Sequence, residues 1–472
     1  MPRHNYKFRP APRWEDGYFI ASVPQPVGDH PNDWSFIEGL RNLSAMGHNP
    51  ITATTQVTRV RPYVFTTMYR QNLLVPCSPD FIKYVFVENG QNYGMNSIRQ
   101  AILKPVLKNG LLTAEGAVWR RARRALSPLF TPRSTENFAP QMKSAVEAAL
   151  PELFTQTDTV DFSEAMQRLT YIVLSDTLFS GEIASEGEAV LRDVSTFLTA
   201  LGKVDPLDIL GLPNFIPRPT KLRGFAAVRR LRARVADLAR DRRARIDQGQ
   251  NVPDDFLTLL INTRDADGAL SDAEIEDHIL TFIGAGHETT SRALSWMCYL
   301  ISQDTKARAR METEIDNLDM SLAPKDWAEH LPWTMACFEE SLRLFPPAPI
   351  ISRFAREADR YNNVEIPKDC NVLVNLWALH RHEKLWERPD SFDPARFYGG
   401  ARARIDRFQY LPFGMGRRVC IGQKFALQEA AILIALIFKS RRFDYAAPKP
   451  PWPLMRITLQ PEGGMPMRVS AR

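Results

Sequence analysis

The residue types best suited to redox chemistry lie in one ten-residue segment, Phe413-Gly414-Met415-Gly416-Arg417-Arg418-Val419-Cys420-Ile421-Gly422. Cys420 directly precedes a helix predicted to begin near Gly422, where free N–H groups and the helix dipole stabilise a thiolate. Thiolates are iron ligands. Gly416 and Gly422 permit a tight loop in which backbone approaches a planar ligand. Arg418 would pair with a carboxylate on that ligand, and Phe413 would limit water around the sulfur.

The remaining cysteines lack such surroundings. They are Cys77, Cys298, Cys337 and Cys370. An odd total of five scattered cysteines argues against a disulfide framework and for a reducing compartment. A glycine-rich turn with an incidental cysteine remains the alternative at Cys420, but the whole ten-residue pattern disfavours it.

A second candidate segment is IGAGHETT, residues 283–290, in the middle of a predicted helix. Gly284 and Gly286 each cost a helix about 1 kcal/mol relative to alanine, which indicates that something flat or bulky comes close. Glu288 and Thr289 resemble a proton relay. The alternative is an ion pair between Glu288 and Arg292 with a Thr289 hydroxyl bonded to the backbone, and this segment alone favours neither.

A third set of residues is interpreted as structural. Glu340 and Arg343 lie three positions apart on one predicted helix, and Arg396 follows in the segment Pro394-Ala395-Arg396-Phe397. If the three side chains meet, they form a buried Arg–Glu–Arg cluster, which is costly to break.

Helical patterns dominate from about residue 115 to 345, and a last helix is predicted over 422–438. The long central helix starts at the capping box Ser271-x-x-Glu274 and runs to about Ser302. Short strands are predicted in 50–90, including TQVTRV, and in 349–380. The fold class is therefore mostly α (α+β), with small sheets around helices. The arginine-rich helix 225–245 is interpreted as having a solvated polar face.

Composition narrows the class of protein. The 472 residues are 44% hydrophobic, which excludes a disordered chain. The longest apolar run is nine residues, 430–438, whereas a membrane span needs about 20. No secretory signal is recognisable, and we expect a cytoplasmic protein without a transmembrane segment. The net charge of +6 suits docking to an acidic protein as well as nucleic acid.

Together these segments resemble the cytochrome P450 family of haem-thiolate monooxygenases. The motifs stand in the family's order: Trp119-x-x-x-Arg123, Ala285-Gly286-His287-Glu288-Thr289-Thr290, Glu340-x-x-Arg343, Pro394–Phe397 and the cysteine loop. The resemblance spans about residues 50–440, while 1–50 and 190–220 match poorly. It implies a single haem domain over 1–472 with no fused reductase.

The resemblance also assigns roles to residues. Cys420 would be the axial ligand of the iron of haem b, pushing electron density onto it. Trp119, Arg123, Arg418 and, more weakly, Arg353 would bind the haem propionates. The remaining haem-binding positions would be Ala285, Gly286, Phe413, Gly416 and Gly422. Glu288 and Thr289 would deliver protons to dioxygen.

The implied reaction is hydroxylation of an apolar small molecule, such as a fatty acid, terpenoid or aromatic. The residue types at Glu288 and Arg418 are similar to those of eukaryotic-type subfamilies. The chain as a whole nevertheless resembles a soluble, bacterial member of the family. A separate ferredoxin or flavodoxin would donate electrons at a basic face. That face comprises Arg120, Arg121, Arg124, Arg417 and Lys424. The substrate pocket would draw on 90–112, 190–220, Phe282, Ile283, Ala285 and 350–351, with Leu207–Pro217 as a lid.

Three other functions remain open. A haem-thiolate peroxygenase, isomerase or dehydratase would need no electron donor, but the Glu288-Thr289 pair disfavours it. A haem carrier or sensor would bind the cofactor without turnover. A nucleic-acid binder would rest on charge alone and leave the cysteine loop unexplained.

Overall fold

The computed structural model describes residues 9–26, 45, 47–68, 71–154, 159–183, 187–201, 222–265 and 268–472. Within these ranges the chain is mostly helical, as predicted. The helices are α1 (Pro79–Lys83), α2 (Ser97–Leu107), α3 (Gly116–Leu126), α4 (Pro132–Asn137), α5 (Ala139–Leu153), α6 (Phe162–Phe179), α7 (Gly187–Leu201), α8 (Leu222–Asp247), α9 (Phe256–Asn262), α10 (Asp272–Gln303), α11 (Thr305–Asp316), α12 (Trp327–His330), α13 (Pro332–Leu344), α14 (Leu376–Leu379) and α15 (Gln423–Ser440).

The strands form small sheets around these helices. They are β1 (Arg13–Glu15), β2 (Tyr18–Ile20), β3 (Tyr63–Met68), β4 (Gln71–Pro76), β5 (Tyr93–Met95), β6 (Thr159–Asp161), β7 (Arg264–Asp265), β8 (Gly268–Ala269), β9 (Ile350–Ala355), β10 (Asp359–Tyr361), β11 (Val364–Ile366), β12 (Asn371–Asn375), β13 (Ser391–Phe392), β14 (Arg441–Tyr445), β15 (Trp452–Met455), β16 (Leu459–Glu462) and β17 (Pro466–Ala471). The largest sheet has the order β3-β4-β12-β9-β5, in which only β4 and β12 pair in parallel.

Helix α10 is the central rod of the molecule. Its N-terminus carries the predicted capping box, in which the Ser271 hydroxyl accepts the Glu274 N–H and the Glu274 carboxylate accepts the Ser271 N–H. The helix packs against α6, α8, α13 and α15. Nearly all of its middle and C-terminal half is buried, so the few open positions along it mark a cavity.

The Glu340 carboxylate is the centre of a buried ion cluster. Its two oxygens accept bidentate hydrogen bonds from Arg343, each 2.7 Å long, and Arg396 Nε lies 3.5 Å from Oε1. The structure thus brings the three residues together. The Asp393 N–H also donates to Oε1 at 2.9 Å, and Arg343 donates to the His380 carbonyl. The cluster therefore fastens the segment that leads to the cysteine loop onto α13.

The strand predicted at TQVTRV is wrong, because Gln56–Arg59 forms a 3₁₀ turn. The Thr58 hydroxyl donates to the carbonyl of Thr55 at 2.6 Å, and this local bond competes with a strand ladder. Arg59 then reaches the distant Asp390 carboxylate at 2.7 Å, a contact that no local pattern indicates.

The solvated face predicted for the arginine-rich helix is also wrong in part. Arg242 of α8 is fully buried and pairs with Asp255 at 2.7 Å. Arg232 reaches Asp277 at the start of α10. These arginines join α8 to neighbouring elements instead of pointing into water.

Within the described ranges, no helix has both the length and the apolar character that a bilayer crossing requires. The predicted lid, Leu207–Pro217, and most of the 190–220 segment lie outside the described residues.

We predict that Glu340→Gln lowers the free energy of unfolding by about 3–5 kcal/mol, because it leaves Arg343 and Arg396 buried with too little negative charge. Equilibrium denaturation measures this loss. The matched control is Glu339→Gln next to it, whose ion pair with Arg402 is partly exposed and should contribute less than about 1 kcal/mol. Equal losses in the two variants would contradict the role of the cluster.

Candidate active site

The cysteine loop is held by its own backbone and by a neighbouring segment. The Cys420 N–H donates to the Phe413 carbonyl at 2.9 Å, which closes the loop just before α15. Gly416 has a φ of +64°, and a Cβ there would collide with the Phe86 carbonyl oxygen. The glycine is thus required by the approach of another backbone segment. The expectation that Gly416 also lets the backbone approach a planar ligand stays a prediction.

Cys420 is exposed, whereas the four other cysteines are buried. Its sulfur is nevertheless closely surrounded by protein on its remaining sides, and this desolvation raises the pKa of the thiol. The Gly422 N–H and the positive charge of Arg123 act in the opposite direction. The local environment alone therefore does not produce the predicted thiolate. A bound metal ion would have to displace the proton.

A cationic cleft of about 850 Å³, counted out to its open mouth, adjoins the loop. Trp119, Arg353 and Arg418 all line it, so the structure brings three of the four predicted propionate ligands together. The Arg418 guanidinium lies 4.8 Å from the Trp119 ring centroid, and that of Arg353 lies 5.1 Å from the Phe86 ring centroid. Cys420 itself does not line this cleft.

Arg123 does not join that cleft. Its guanidinium donates to the Val419 carbonyl at 3.0 Å, directly beside Cys420. Helix α3 thus supports the cysteine loop through this bond, and the expected role of Arg123 as a propionate ligand stays a prediction.

Helix α10 has one open stripe in its otherwise buried middle. Ala285 is exposed, Gly284 and Thr289 are partly exposed, and a Cβ at Gly284 would meet no atom within 4 Å. The Thr289 hydroxyl donates to the Ala285 carbonyl at 2.9 Å, the backbone bond that the sequence predicted. Ala285 and Thr289 share one face because they lie four positions apart along the helix, and Gly284 widens the opening next to Ala285.

Two neighbours of this stripe face elsewhere. The Glu288 carboxylate is 2% exposed and accepts hydrogen bonds from Arg292 and Thr458, both at 2.9 Å. The structure thus shows the ion pair that the sequence left open as an alternative, and a proton-relay role for Glu288 stays a prediction. A Cβ at Gly286 would collide with Leu174 of α6. Gly286 therefore allows α10 and α6 to pack closely, and its expected place beside a cofactor stays a prediction.

The other residues expected at the site lie either in the core or at the cysteine loop. Phe282 stacks on Phe130 with centroids 5.0 Å apart, and Ile283 is 2% exposed, so both belong to the core and not to a pocket. Phe413 is partly buried and supplies the carbonyl that closes the loop. A Cβ at Gly422 would meet no described atom within 4 Å, which leaves open space at the start of α15.

The predicted basic face is present in part. Its exposed members are Arg120, Arg124, Arg417 and Lys424. Arg121 is the exception, because it donates to Glu274 and to the Ala269 carbonyl at the N-terminal end of α10.

Sequence analysis missed Phe86 and Thr458. Phe86 provides the carbonyl against Gly416 and the ring beneath Arg353, and Thr458 binds Glu288. Neither residue belongs to a motif, and each meets its partner only after distant segments fold together.

The residues present fit an iron porphyrin. An exposed thiol at a helix start provides an iron ligand, the open stripe of small residues on α10 leaves room for a flat group, and the cationic cleft suits its carboxylates.

Comparisons with known proteins agree with this fit. The sequence profile described as Cytochrome P450 matches residues 37–466. The chain is 32% identical to Cyclooctatin synthase of Streptomyces melanosporofaciens, covering 90% of this chain and 92% of that protein. It is 31% identical to Putative cytochrome P450 132 of Mycobacterium tuberculosis, covering 82% and 85% respectively. The crystal structure of the cytochrome P450DA heme domain shares the fold, with a TM-score of 0.77 at 22% identity over 95% of this chain and 98% of that one.

We predict that Gly416→Ala lowers haem content several-fold, because the new methyl group must displace the Phe86 backbone and distort the loop before Cys420. Absorbance per polypeptide after purification measures haem content. The control is Gly399→Ala, where φ is similarly positive at +61° but a Cβ meets no atom within 4 Å. If both variants retain full haem content, the collision at Gly416 does not control haem binding.

Proposed function

The chain belongs to the cytochrome P450 family and is a haem monooxygenase, and we propose that it hydroxylates a C–H bond of an apolar small molecule, with electrons from a separate protein donor. The observation that carries the assignment of its centre is Cys420, exposed in a closed loop at the start of α15. Haem, when bound there, supplies the activation of dioxygen and the insertion of one oxygen atom.

The protein's own residues then have distinct tasks. Cys420 would bind the iron through its sulfur. Trp119, Arg353 and Arg418 would hold the carboxylates of the cofactor by charge and hydrogen bonding. Thr289 presents its hydroxyl from the open stripe, where it would hold and pass on a proton. Glu288 would reach this hydroxyl only after leaving Arg292 and Thr458.

An apolar substrate is supported by the surfaces that remain open. Ala285 exposes only a methyl group on α10, and Ile350 and Ile351 are partly exposed on β9. Such surfaces hold a ligand by burying its carbon atoms and offer few polar groups to fix a charged one. We therefore propose a lipid, terpenoid or aromatic substrate.

The electron donor is proposed to be an acidic ferredoxin or flavodoxin. The exposed cations Arg124, Arg417 and Lys424 lie on or next to the elements that hold Cys420. Opposite charges speed the encounter of the two proteins, and salt screens them. We predict that the rate of haem reduction by such a donor falls with rising ionic strength, measured by stopped-flow absorbance. A rate independent of salt would contradict this surface.

We predict that Cys420→Ser abolishes the carbon-monoxide difference spectrum typical of a thiolate-bound haem, because an alcohol cannot replace the sulfur donor. Absorption spectra of the reduced protein measure this. Cys370→Ser is the control, since Cys370 is a buried thiol in the sheet region and its variant should keep the spectrum. A thiolate spectrum in Cys420→Ser would refute the ligand assignment.

We predict that Thr289→Ala binds haem normally but diverts most reducing equivalents to hydrogen peroxide, because the hydroxyl on the open stripe is lost. The ratio of peroxide formed to reductant consumed, measured with a substrate identified by spectral shift, tests this.

The matched control is Thr281→Ala on the same helix. Its hydroxyl also donates to a carbonyl four residues back, at 2.7 Å, but it is buried, one turn before Ala285. Coupling should stay at the wild-type level in this variant. Equal coupling in Thr289→Ala and the wild type would remove the proton-transfer role.

A further inference from the structure

The Asp359 carboxylate, on β10, is a point at which donors from distant parts of the chain meet. Its Oδ1 accepts hydrogen bonds from the Tyr84 hydroxyl and the Arg360 N–H, both 2.8 Å long. Its Oδ2 accepts the Tyr93 hydroxyl at 2.6 Å and the Asn89 side-chain amide at 2.8 Å. A carboxylate has about four acceptor positions, so these bonds use its whole capacity. None of the roles assigned above uses Asp359.

This carboxylate is charged in its surroundings. Burial acts to raise the pKa of Asp359, but the hydrogen bonds that it accepts outweigh burial and hold the pKa below its ordinary value. Hydrogen bonds to an ionised acceptor are roughly twice as strong as those between neutral groups. Asp359 therefore anchors its donors more firmly than a neutral side chain would.

Three of the four donors belong to one short segment, residues 84–93, which leads from α1 into β5. The segment begins with a single π-helical turn, Tyr84–Glu88, and the Asn89 N–H donates to the Tyr84 carbonyl at 2.9 Å. Turns of this kind are rare and are often found at functional sites. Because Tyr84 and Asn89 stand at its two ends and Tyr93 lies in β5, one carboxylate fixes the whole segment.

The middle of this turn contacts the cysteine loop. The Phe86 carbonyl oxygen occupies the space that a Cβ at Gly416 would need, and the Phe86 ring packs in one buried apolar cluster with Met415. The same ring lies 5.1 Å from the Arg353 guanidinium. Phe86 and Tyr93 also line the cationic cleft. A movement of the turn is therefore passed on to the loop and to the cleft.

We propose that Asp359 is a positioning residue that holds the Phe86 turn against the cysteine loop and thereby retains the haem. Asp359 itself does not line the cleft, so it acts through the turn. Without its carboxylate, the buried Tyr93 hydroxyl loses its acceptor and the turn is free to move away from Gly416. The effect on haem rests on the proposed function, whereas the contacts between Asp359, the turn and the loop do not.

Hydrogen–deuterium exchange of the full-length holoprotein tests whether the turn controls the loop. In Asp359→Ala the amides of 84–95 and 413–422 should exchange several-fold faster than in wild type, while the buried part of α10, 291–301, keeps its rate. Local opening gives this pattern, whereas a general loss of stability speeds exchange in the core as well. Faster exchange that does not reach 413–422 would overturn the proposal, and so would equal acceleration in all three segments.

The matched control is Glu365→Ala. Glu365 lies on β11 opposite Arg360, with which it forms an exposed ion pair of 3.2 Å. Its removal takes a carboxylate from the same hairpin but leaves the four bonds of Asp359 in place, so exchange in 413–422 should stay at the wild-type rate. If Asp359→Ala does not fold, Tyr84→Phe combined with Tyr93→Phe removes two of the bonds and keeps both rings. Wild-type exchange in 413–422 of that double variant would then overturn the proposal.

Retention of haem is measured by its transfer to excess apomyoglobin, followed by absorbance. Asp359→Ala should lose haem several-fold faster than wild type, and Glu365→Ala at the wild-type rate. Gly416→Ala disturbs the same contact from the side of the loop, so the variant with both Asp359→Ala and Gly416→Ala should lose haem about as fast as the faster single variant. Independent effects would multiply. Multiplied rates, or a wild-type rate in Asp359→Ala, would contradict an action of Asp359 through the Phe86 turn.

The two hypotheses fail separately. A holoprotein without a thiolate-type carbon-monoxide spectrum refutes the proposed function, while the exchange pattern still decides whether Asp359 holds the loop. A thiolate-type spectrum together with wild-type exchange in Asp359→Ala refutes only the positioning role.

Discussion

The structure depends most on the pairing of one buried carboxylate, Glu340, with two arginines. Arg343 is fully buried and binds both the carboxylate and the carbonyl oxygens of His380, Pro389 and Ser391. Arg396 adds a second positive charge from the turn that precedes the cysteine loop. Because an unpaired charge in this position is costly, the backbone between α13 and the loop has one low-energy arrangement. The position of Cys420 follows from that arrangement.

Helix α10 separates two environments around its circumference. Glu288 pairs with Arg292, and Gly286, two positions away and so on nearly the opposite side of the helix, lets Leu174 of α6 come close. Between these two directions the stripe around Ala285 and Thr289 is open. Neighbouring residues of a helix point about 100° apart, so one short motif serves both purposes. The motif therefore contains packing residues and site residues side by side.

The cleft and the cysteine loop differ in their electrostatic environment. Arg353 and Arg418 place positive charge at the open cleft, where carboxylates of a cofactor can neutralise it. The sulfur of Cys420 is surrounded by protein, which raises its pKa and makes the metal itself responsible for its ionisation. The cleft thus carries positive charge of its own, whereas the charge of the sulfur depends on the metal that binds it.

The sequence alone determined the features that depend on interactions within short segments of the chain. The capping box at Ser271, the extents of α10, α13 and α15, the mostly helical fold and the importance of Cys420 could all be predicted, because they depend on residues close together in the chain. Tertiary structure decided which way each side chain of a motif faces. It set Thr458 against Glu288, placed Arg123 on the Val419 carbonyl, and set the Phe86 carbonyl against Gly416. These partners are brought together only by packing between distant segments, and no spacing within a motif records the direction from which a neighbour will come.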